Sequence, residues 1–251
     1  VRAQRFIPRR TYRIRNGVAR GLKTRGVGLR DAIGPPRPDS PEVKALRTQD
    51  LGGKTVYDIG ADIGLFTAFF ADRVGGQGAV VCFEPNPTSY ERTLEHIRIN
   101  GLSNVTAINV AIGEEDGTLT IACGDQPGMG SADPGIRAAL LASGHAADIK
   151  VPVAKIDSLI DARELPSPDF VKIDVEGLEW AVLRGMRETI SRAHPSLFIE
   201  LHGVDADAKQ TNSQRVVELL LDASYQLEHV ESARAVASVA QAPLTGHLLC
   251  R

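Results

Sequence analysis

Four places in this 251-residue chain set reactive or ligand-holding side chains at spacings that chemistry can use. The first is Asp58-Ile59-Gly60-Ala61-Asp62-Ile63-Gly64. Glycines so placed let the backbone turn tightly and approach a ligand, and the Asp58 carboxylate beside the turn can accept hydrogen bonds from an ammonium group. The second is Glu84, which closes an apolar run twenty residues beyond the last of those glycines, a placement that suits binding both hydroxyls of a ribose. The third is Asp174 with Glu176, and the fourth Glu200 with His202. Members of each pair are two apart, so they start on one face of an extended strand. Such groups can take a proton from a reacting hydroxyl; on intrinsic pKa His202 is the first choice as general base and Asp174 the second. Asp174, Glu200 and His202 together also offer oxygen and nitrogen ligands to a divalent ion.

These residues need strand ends to hold them, and the chain supplies strands. Short apolar runs alternate with amphipathic stretches from Thr55 onward. Strands are expected at Thr55–Ile59, Ala79–Glu84, Val105–Ile112, Phe170–Val175 and Leu197–His202, with strand-like pieces at Tyr225–Val230 and His247–Cys250. Helices are expected at Leu65–Arg73, Ser89–Asn100, Leu178–Ala193 and Ser213–Ala223; Leu178, Val182, Met186 and Ile190 recur at the four-residue step of one apolar stripe. Strands alternating with helices imply crossover units and a parallel sheet covered on both faces, a doubly wound α/β domain. In such sheets ligands bind beyond the carboxyl ends of the strands, where all four signatures fall. Glu179 is read as an acid at a helix start, and His96 as lying on a surface helix.

Residues 113–156 break the alternation. Thr118–Cys123 and Ile149–Lys155 are expected to form an added antiparallel pair around a Gly-rich stretch (Gly124, Gly128, Gly130, Gly135, Gly144), read as an inserted lid. Residues 1–50 form a basic arm and a Pro-rich linker, Gly34–Pro41. The first thirty residues hold ten Lys or Arg and no acid, which leaves the rest with 19 bases against 31 acids, a net charge of −12. Such an arm suits phosphates, an anionic membrane surface, or an acidic body across which it lies.

Composition narrows the class. With 43% hydrophobic and 24% charged residues, the chain reads as one large globular domain whose core needs no staple. Three scattered cysteines without a C-x-x-C pair exclude a disulfide framework and a zinc knuckle, and point to the cytoplasm. No apolar run is long enough to span a membrane, and the basic N-terminus lacks the apolar segment of a secretory leader.

Val56–Gly64, Glu84-Pro85-Asn86 and Asn109–Gly113 together resemble S-adenosylmethionine-dependent methyltransferases. Lys155-Ile156-Asp157-Ser158-Leu159, Val171–Glu179 and Pro195–His202 narrow the resemblance to the FkbM family, over about residues 52–203. The resemblance implies a Rossmann-like, class I sheet of seven strands with the last antiparallel, occupying 51–251, and a methyl donor over the first two strand ends. It implies that Asp58, Gly60, Ala61 and Gly64 hold the methionine moiety, Glu84 the ribose, and Ala111 and Ile112 the adenine. Asp62 stands where the family usually has Asn, adding a negative charge that either opposes the donor's carboxylate or meets its ammonium.

With the donor so placed, Asp174, Glu176, Glu200 and His202 become the acceptor-side residues, catalytic by removing a proton. No metal ligand is assigned; magnesium enters only as an option at Asp174, Glu200 and His202, where it would acidify a hydroxyl. The expected reaction is O-methylation of a sugar, glycolipid or polyketide-type hydroxyl. A nucleic-acid methyltransferase using the basic arm is the second reading, opposed by the acidic body and the lack of an Asn-Pro-Pro-Tyr-type motif, so no nucleic acid is expected as partner. A non-catalytic cofactor-binding protein, motivated by Asp62, is the third. The glycine spacing is not the G-x-G-x-x-G of a dinucleotide cradle, which ranks an NAD-dependent dehydrogenase lower.

Overall fold

The computed structural model describes residues 11–25, 38–124, 130–131, 134–162 and 164–251. Strands β1 (Thr11–Arg13) and β2 (Lys23–Arg25) form a small antiparallel hairpin. The main sheet comprises β3 (Thr55–Ile59), β4 (Ala79–Phe83), β5 (Val105–Ile108), β10 (Phe170–Ile173), β11 (Ser196–Leu201), β12 (Leu227–His229), β13 (Arg234–Val236) and β14 (Gly246–Cys250). Its spatial order is β13-β12-β14-β11-β10-β3-β4-β5. The five strands from β11 to β5 are mutually parallel, and β14 runs antiparallel between β11 and β12. The order reverses between β3 and β10, which puts the switch point beside the Asp58–Gly64 turn.

Two differences from the expected sheet have local causes. The eighth strand, β13, hairpins onto β12 at the edge and buries only Val236, so its sequence carries almost no period-two signal. The run Val105–Ile112 is two strands in two sheets. After Ile108 the side-chain amide of Asn109 donates to the carbonyls of Glu84 (2.7 Å) and Pro85 (3.1 Å). The chain bends there, and β6 (Ala111–Ile112) pairs with the insertion.

That insertion is a four-stranded sheet in the order β6-β9-β7-β8, with β7 (Gly117–Gly124), β8 (Gly130–Ser131) and β9 (Ala146–Ala154). β7 and β9 are the expected antiparallel pair. Helix α4 (Pro134–Ala142) lies between β8 and β9, within the stretch whose glycines suggested an irregular loop; Gly128 lies outside the described residues.

The helices begin where their capping residues allow. Helix α1 (Pro41–Arg47) starts at Ser40, whose side chain accepts from the Val43 N–H, with Pro41 in the first turn. Helix α2 (Leu65–Val74) follows Gly64, and α3 (Pro87–Asn100) is capped by Asn86, which accepts from Thr88 and Ser89. Helix α8 (Ala206–Asp222) starts at Asp205, which accepts from Ala208. Helices α1 and α2 bury one face of the main sheet through Val43, Leu46, Phe69, Phe70, Phe170 and Phe198. The opposite face carries Val182, Leu183, Met186, Ile190, Val216 and Leu220 against Tyr57, Ile173 and Ile199.

The described part of the basic arm joins the first of these layers. Ile14, Val18 and Ala19 are buried in the same cluster as Val43 and Phe69. His96 lies inside the molecule, not on a solvent face, because the hairpin covers it: Thr24 meets its Nε2 at 3.0 Å and the Ile63 carbonyl its Nδ1 at 2.6 Å. Of the Pro-rich linker, residues 34–37 lie outside the described residues. Among the described residues no helix is long and apolar enough to cross a membrane.

The single helix expected over Leu178–Ala193 is two, α6 (Glu179–Arg184) and α7 (Arg187–Ala193). At Gly185 a β-carbon would lie 1.9 Å from the Gly113 carbonyl oxygen, so the insertion's first turn presses on the break. Asp157, in α5 (Ile156–Asp161), then caps the second piece, accepting from the Glu188 N–H (3.0 Å), the Thr189 N–H (2.8 Å) and the Thr189 hydroxyl (2.7 Å). Asp157→Ala is expected to cost about 1–3 kcal/mol in urea unfolding; an unchanged midpoint would mean the break stands without this cap.

Candidate active site

The turn after β3 decides where the cleft lies. Gly60 is left-handed (φ 83°), and a β-carbon there would sit 1.8 Å from the Asp174 carbonyl oxygen. The Gly60 and Ala61 N–H groups both donate to the Phe83 carbonyl, at 3.0 and 3.1 Å, so the turn is stitched to β4 as well as pressed against the end of β10. Gly64 (φ 77°) starts α2 where Thr93 leaves no room for a side chain. Asp62, a non-glycine at φ 46°, accepts from the Thr93 hydroxyl through its carbonyl (2.6 Å) and from the Ser89 hydroxyl through its carboxylate (2.9 Å).

An open cleft with about 930 Å³ of empty space lies beyond these strand ends. Of the residues expected at the donor site it is lined by Gly60, Glu84, Ala111 and Ile112; of the catalytic set, by Asp174 and Glu176. Asp62 and Ser89 also line it, and the insertion contributes Leu119, Ile121, Gly130 and Ser131. One end is therefore apolar (Val110, Ala111, Ile112, Leu119, Ile121). The other holds four carboxylates, and no Lys, Arg or His is among its described lining residues.

Asp58, Ala61 and Gly64 do not reach the cleft wall. Asp58 lies on the strand face turned toward α2, fully buried, with its Oδ2 accepting from the Thr67 hydroxyl at 2.5 Å and its buried Oδ1 accepting no hydrogen bond from the described residues. Burial holds its pKa above the usual carboxylate range despite Lys172 nearby. Ala61 and Gly64 shape the turn, and the Ala61 N–H is already spent on Phe83. Glu84 is both buried and in the cleft. Its two oxygens accept from the Asp62 and Asn86 N–H groups, each at 2.8 Å, which leaves lone pairs for a ligand diol. Burial pushes its pKa up to about 8, against the pull of those two N–H groups.

The acceptor side is a charge cluster that the chain order does not reveal. His202 sits just behind the cleft wall. Its Nδ1 meets Glu179 at 3.0 Å, and its Nε2 faces Glu200 at 3.4 Å and Asp174 and Glu176 at 3.9 Å each. Burial opposes a charge on the ring, yet Glu179, Glu200 and Glu176 outweigh it and push its pKa up to about 11. These carboxylates favour the charged ring, which weighs against the general-base role its ordinary pKa suggested. Glu200 is held low by His202 and His247, whose Nε2 atoms stand 3.4 and 3.6 Å from its oxygens, so it is a poor base as well. Glu176 lines the cleft at a strained left-handed position (φ 54°), and burial raises its pKa.

Three residues here had no part in the site assigned from the chain, which reads Glu179 only as an acid at a helix start. Glu179 is completely buried, and besides His202 it accepts from the Gly177 N–H (3.0 Å) and from the Asn212 amide on α8. Lys172, buried in β10 opposite Asp58, donates to Asp174 at 2.9 Å and lies over the Phe66 ring. Burial works against its charge, but Asp174 and Asp58 hold its pKa above normal. A lysine inside the apolar run Phe170–Ile173 is the one signal of this pair in the sequence. Nothing local marks Asn212.

A doubly wound sheet of this order, with β14 antiparallel and a cleft across the ends of β3 and β4, is the class I methyltransferase fold. Residues 58–227 match the methyltransferase FkbM domain model, and the chain belongs to that family. It is 30% identical to Methyltransferase 1 of Beauveria bassiana over 146 residues, 52% of this chain and 57% of that protein. It is 26% identical to hexuronic acid methyltransferase AglP of Haloferax volcanii over 152 residues, 60% of this chain and 57% of that protein. The chain thus spans less than two thirds of the length of these curated relatives. The crystal structure of an FkbM methyltransferase from Methylobacillus flagellatus shares the fold, with a TM-score of 0.50 at 20% identity over 84% of this chain and 50% of that one.

Between the ordinary carboxylate range and about pH 8, the folded protein keeps a proton on Glu84 that the unfolded chain has released. Stability therefore falls as pH rises through that window and levels off above it. Glu84→Gln, neutral throughout, is expected to lose less stability than the parent between about pH 5 and 8, by on the order of a few kcal/mol in urea unfolding. Parallel profiles would show that Glu84 is not so burdened.

Proposed function

We propose that this chain is the catalytic domain of an S-adenosylmethionine-dependent O-methyltransferase acting on a sugar, glycolipid or polyketide-type hydroxyl. The observation that carries the reading is the cleft itself, with four acidic side chains, of which Glu84 holds its proton up to about pH 8, and no basic side chain among its described lining residues. A donor bearing a sulfonium and an ammonium fits such a wall electrostatically, and its adenine fits the apolar end. Glu84 would hold the ribose hydroxyls, Ala111, Ile112, Leu119 and Ile121 would flank the adenine, and Asp62, steadied by Ser89, would face the ammonium. Bound there, the donor supplies an electrophilic methyl group.

The remaining work belongs to this chain's own residues. Methyl transfer to a hydroxyl needs alignment and removal of one proton. Glu176 is the side chain we assign to that proton: it lines the cleft, its burial makes it more basic, and protonated His202 stands 3.9 Å behind it. Asp174 is committed to Lys172 and aligns the acceptor. AglP, by its name, methylates a hexuronic acid, which supports a sugar acceptor here. The acidic rim of this cleft suits a neutral sugar hydroxyl better than a free uronate. A small or lipid-linked acceptor would enter past the insertion, whose β7 and β8 already form part of the wall.

Calorimetry with S-adenosylhomocysteine tests the donor site: Glu84→Ala is expected to weaken binding at least about tenfold. For the base, Glu176→Gln is expected to lower kcat about 100-fold or more on a responsive sugar or glycolipid acceptor, with donor affinity within about twofold of the parent. Retained kcat would remove Glu176 from the role. Tight donor binding with no turnover on any hydroxyl acceptor would favour a non-catalytic cofactor-binding protein.

A further inference from the structure

We propose that Glu42, Glu200 and His247 form a site for a divalent transition-metal cation, zinc or manganese(II) in type, next to the acceptor side of the cleft. The three come from α1, β11 and β14, and one ligand atom of each lies within 4.8 Å of the others. None of them lines the cleft, and the inference does not rest on the identity of the reaction.

His247 provides the argument. It is about nine-tenths buried, and its Nε2 hydrogen-bonds nothing among the described residues. That nitrogen points between Glu42 Oε1 at 3.5 Å and Glu200 Oε2 at 3.6 Å. Both distances are long for a charged hydrogen bond. They are close to the edge, about 3.4 Å, of a tetrahedron whose centre lies ~2.1 Å from each corner, as around zinc. The other ring nitrogen is already committed. Nδ1 is 2.6 Å from Glu231 Oε1, and Glu231 Oε2 accepts the His247 backbone N–H at 2.9 Å. Glu200, Glu42 and Glu231 favour the charged ring, so an ion at Nε2 would take the place of its proton, while the carboxylate on Nδ1–H is the outer-shell arrangement that orients metal-binding histidines.

The surroundings hold this geometry. The Phe198 ring packs against the imidazole, with centroids 5.1 Å apart. Gly246 (φ 96°) lets the Glu231 carboxylate come where a β-carbon would be 2.4 Å from Oε2. Three carboxylates thus surround one imidazole. Lys172, which also feels Glu42, is already hydrogen-bonded to Asp174. One imidazole nitrogen and two carboxylates suit a transition ion better than magnesium. A cation there would also fix Glu200, whose Oε1 faces His202, and so tie α1 to the acceptor side.

The test uses the full chain, stripped with chelator and titrated calorimetrically with zinc chloride and with manganese chloride. The expected result is saturable binding of one ion per chain, weakened about tenfold or more in Glu42→Gln and unchanged in Asp174→Asn. Melting curves of the ion-free variants establish that they fold. If Glu42→Gln does not, Glu231→Gln is used, with a tenfold or greater weakening expected through the loss of His247's partner. No saturable binding of either ion overturns the proposal. So does binding that survives Glu42→Gln or Glu231→Gln, and so does binding abolished by Asp174→Asn, which would put the ion on Asp174, Glu200 and His202 instead.

Discussion

At Gly60 the backbone passes so close to the end of β10 that a β-carbon would lie 1.8 Å from the Asp174 carbonyl oxygen. The same turn gives two N–H groups to Phe83 at the end of β4. One residue without a side chain therefore gathers three strand ends. Glu84 closes onto the Asp62 amide because the turn is there to meet it, and Asp174 and Glu176 leave β10 on the far side of the same turn. Any larger residue would part the first strand from the fourth element of the sheet and open the cleft floor.

Electrostatics then divides the acids by what is packed behind them. Asp58 and Asp174 share Lys172, a buried cation in the middle strand. Glu179 and Glu200 share His202, which they keep charged. Glu84 has only backbone N–H groups, so burial governs it and its pKa rises. The acids at these strand ends thus differ in what is packed behind them: Lys172 from β10, His202 from beyond β11, or backbone N–H groups alone. The arrangement also explains how a cleft rimmed by negative charge folds stably: the cations sit one layer behind the wall, leaving the wall itself selective for positive charge.

The insertion and the N-terminal hairpin belong to the same design. The insertion borrows Ala111 and Ile112 from the end of the Val105–Ile112 run and builds a second sheet on them, so that sheet supplies apolar residues to the cleft wall. On the opposite face, the hairpin seals α2 and α3 through Ile14, Val18 and the Thr24–His96 contact. Basic side chains of the arm and of α1 (Arg13, Arg20, Lys23, Arg47) line a separate hollow there, and none of the arm's described basic residues lines the cleft.

Periodicity alone determined the alternating strands and helices, because burial on both faces demands largely apolar strands such as Val80–Phe83. The glycine turn, Glu84 and the strand-end acids were legible for the same reason: they stand where a parallel sheet must place its ligands. Three features were not. The split of Leu178–Ala193 hides behind a perfect apolar stripe and depends on Gly113 and Asp157 arriving from elsewhere. The strand end at Ile108 depends on an Asn109 side chain reaching two carbonyls of another segment. The roles within the acid cluster depend on Glu179, whose partners His202 and Asn212 lie 23 and 33 residues further along the chain, and on Lys172, which faces Asp58 across the sheet. Residue type and spacing thus determined which groups reach the carboxyl edge of the sheet. Only packing decided which of them hold protons, because a pKa is set by burial and by the charges brought alongside, and those are known only once the chain has folded.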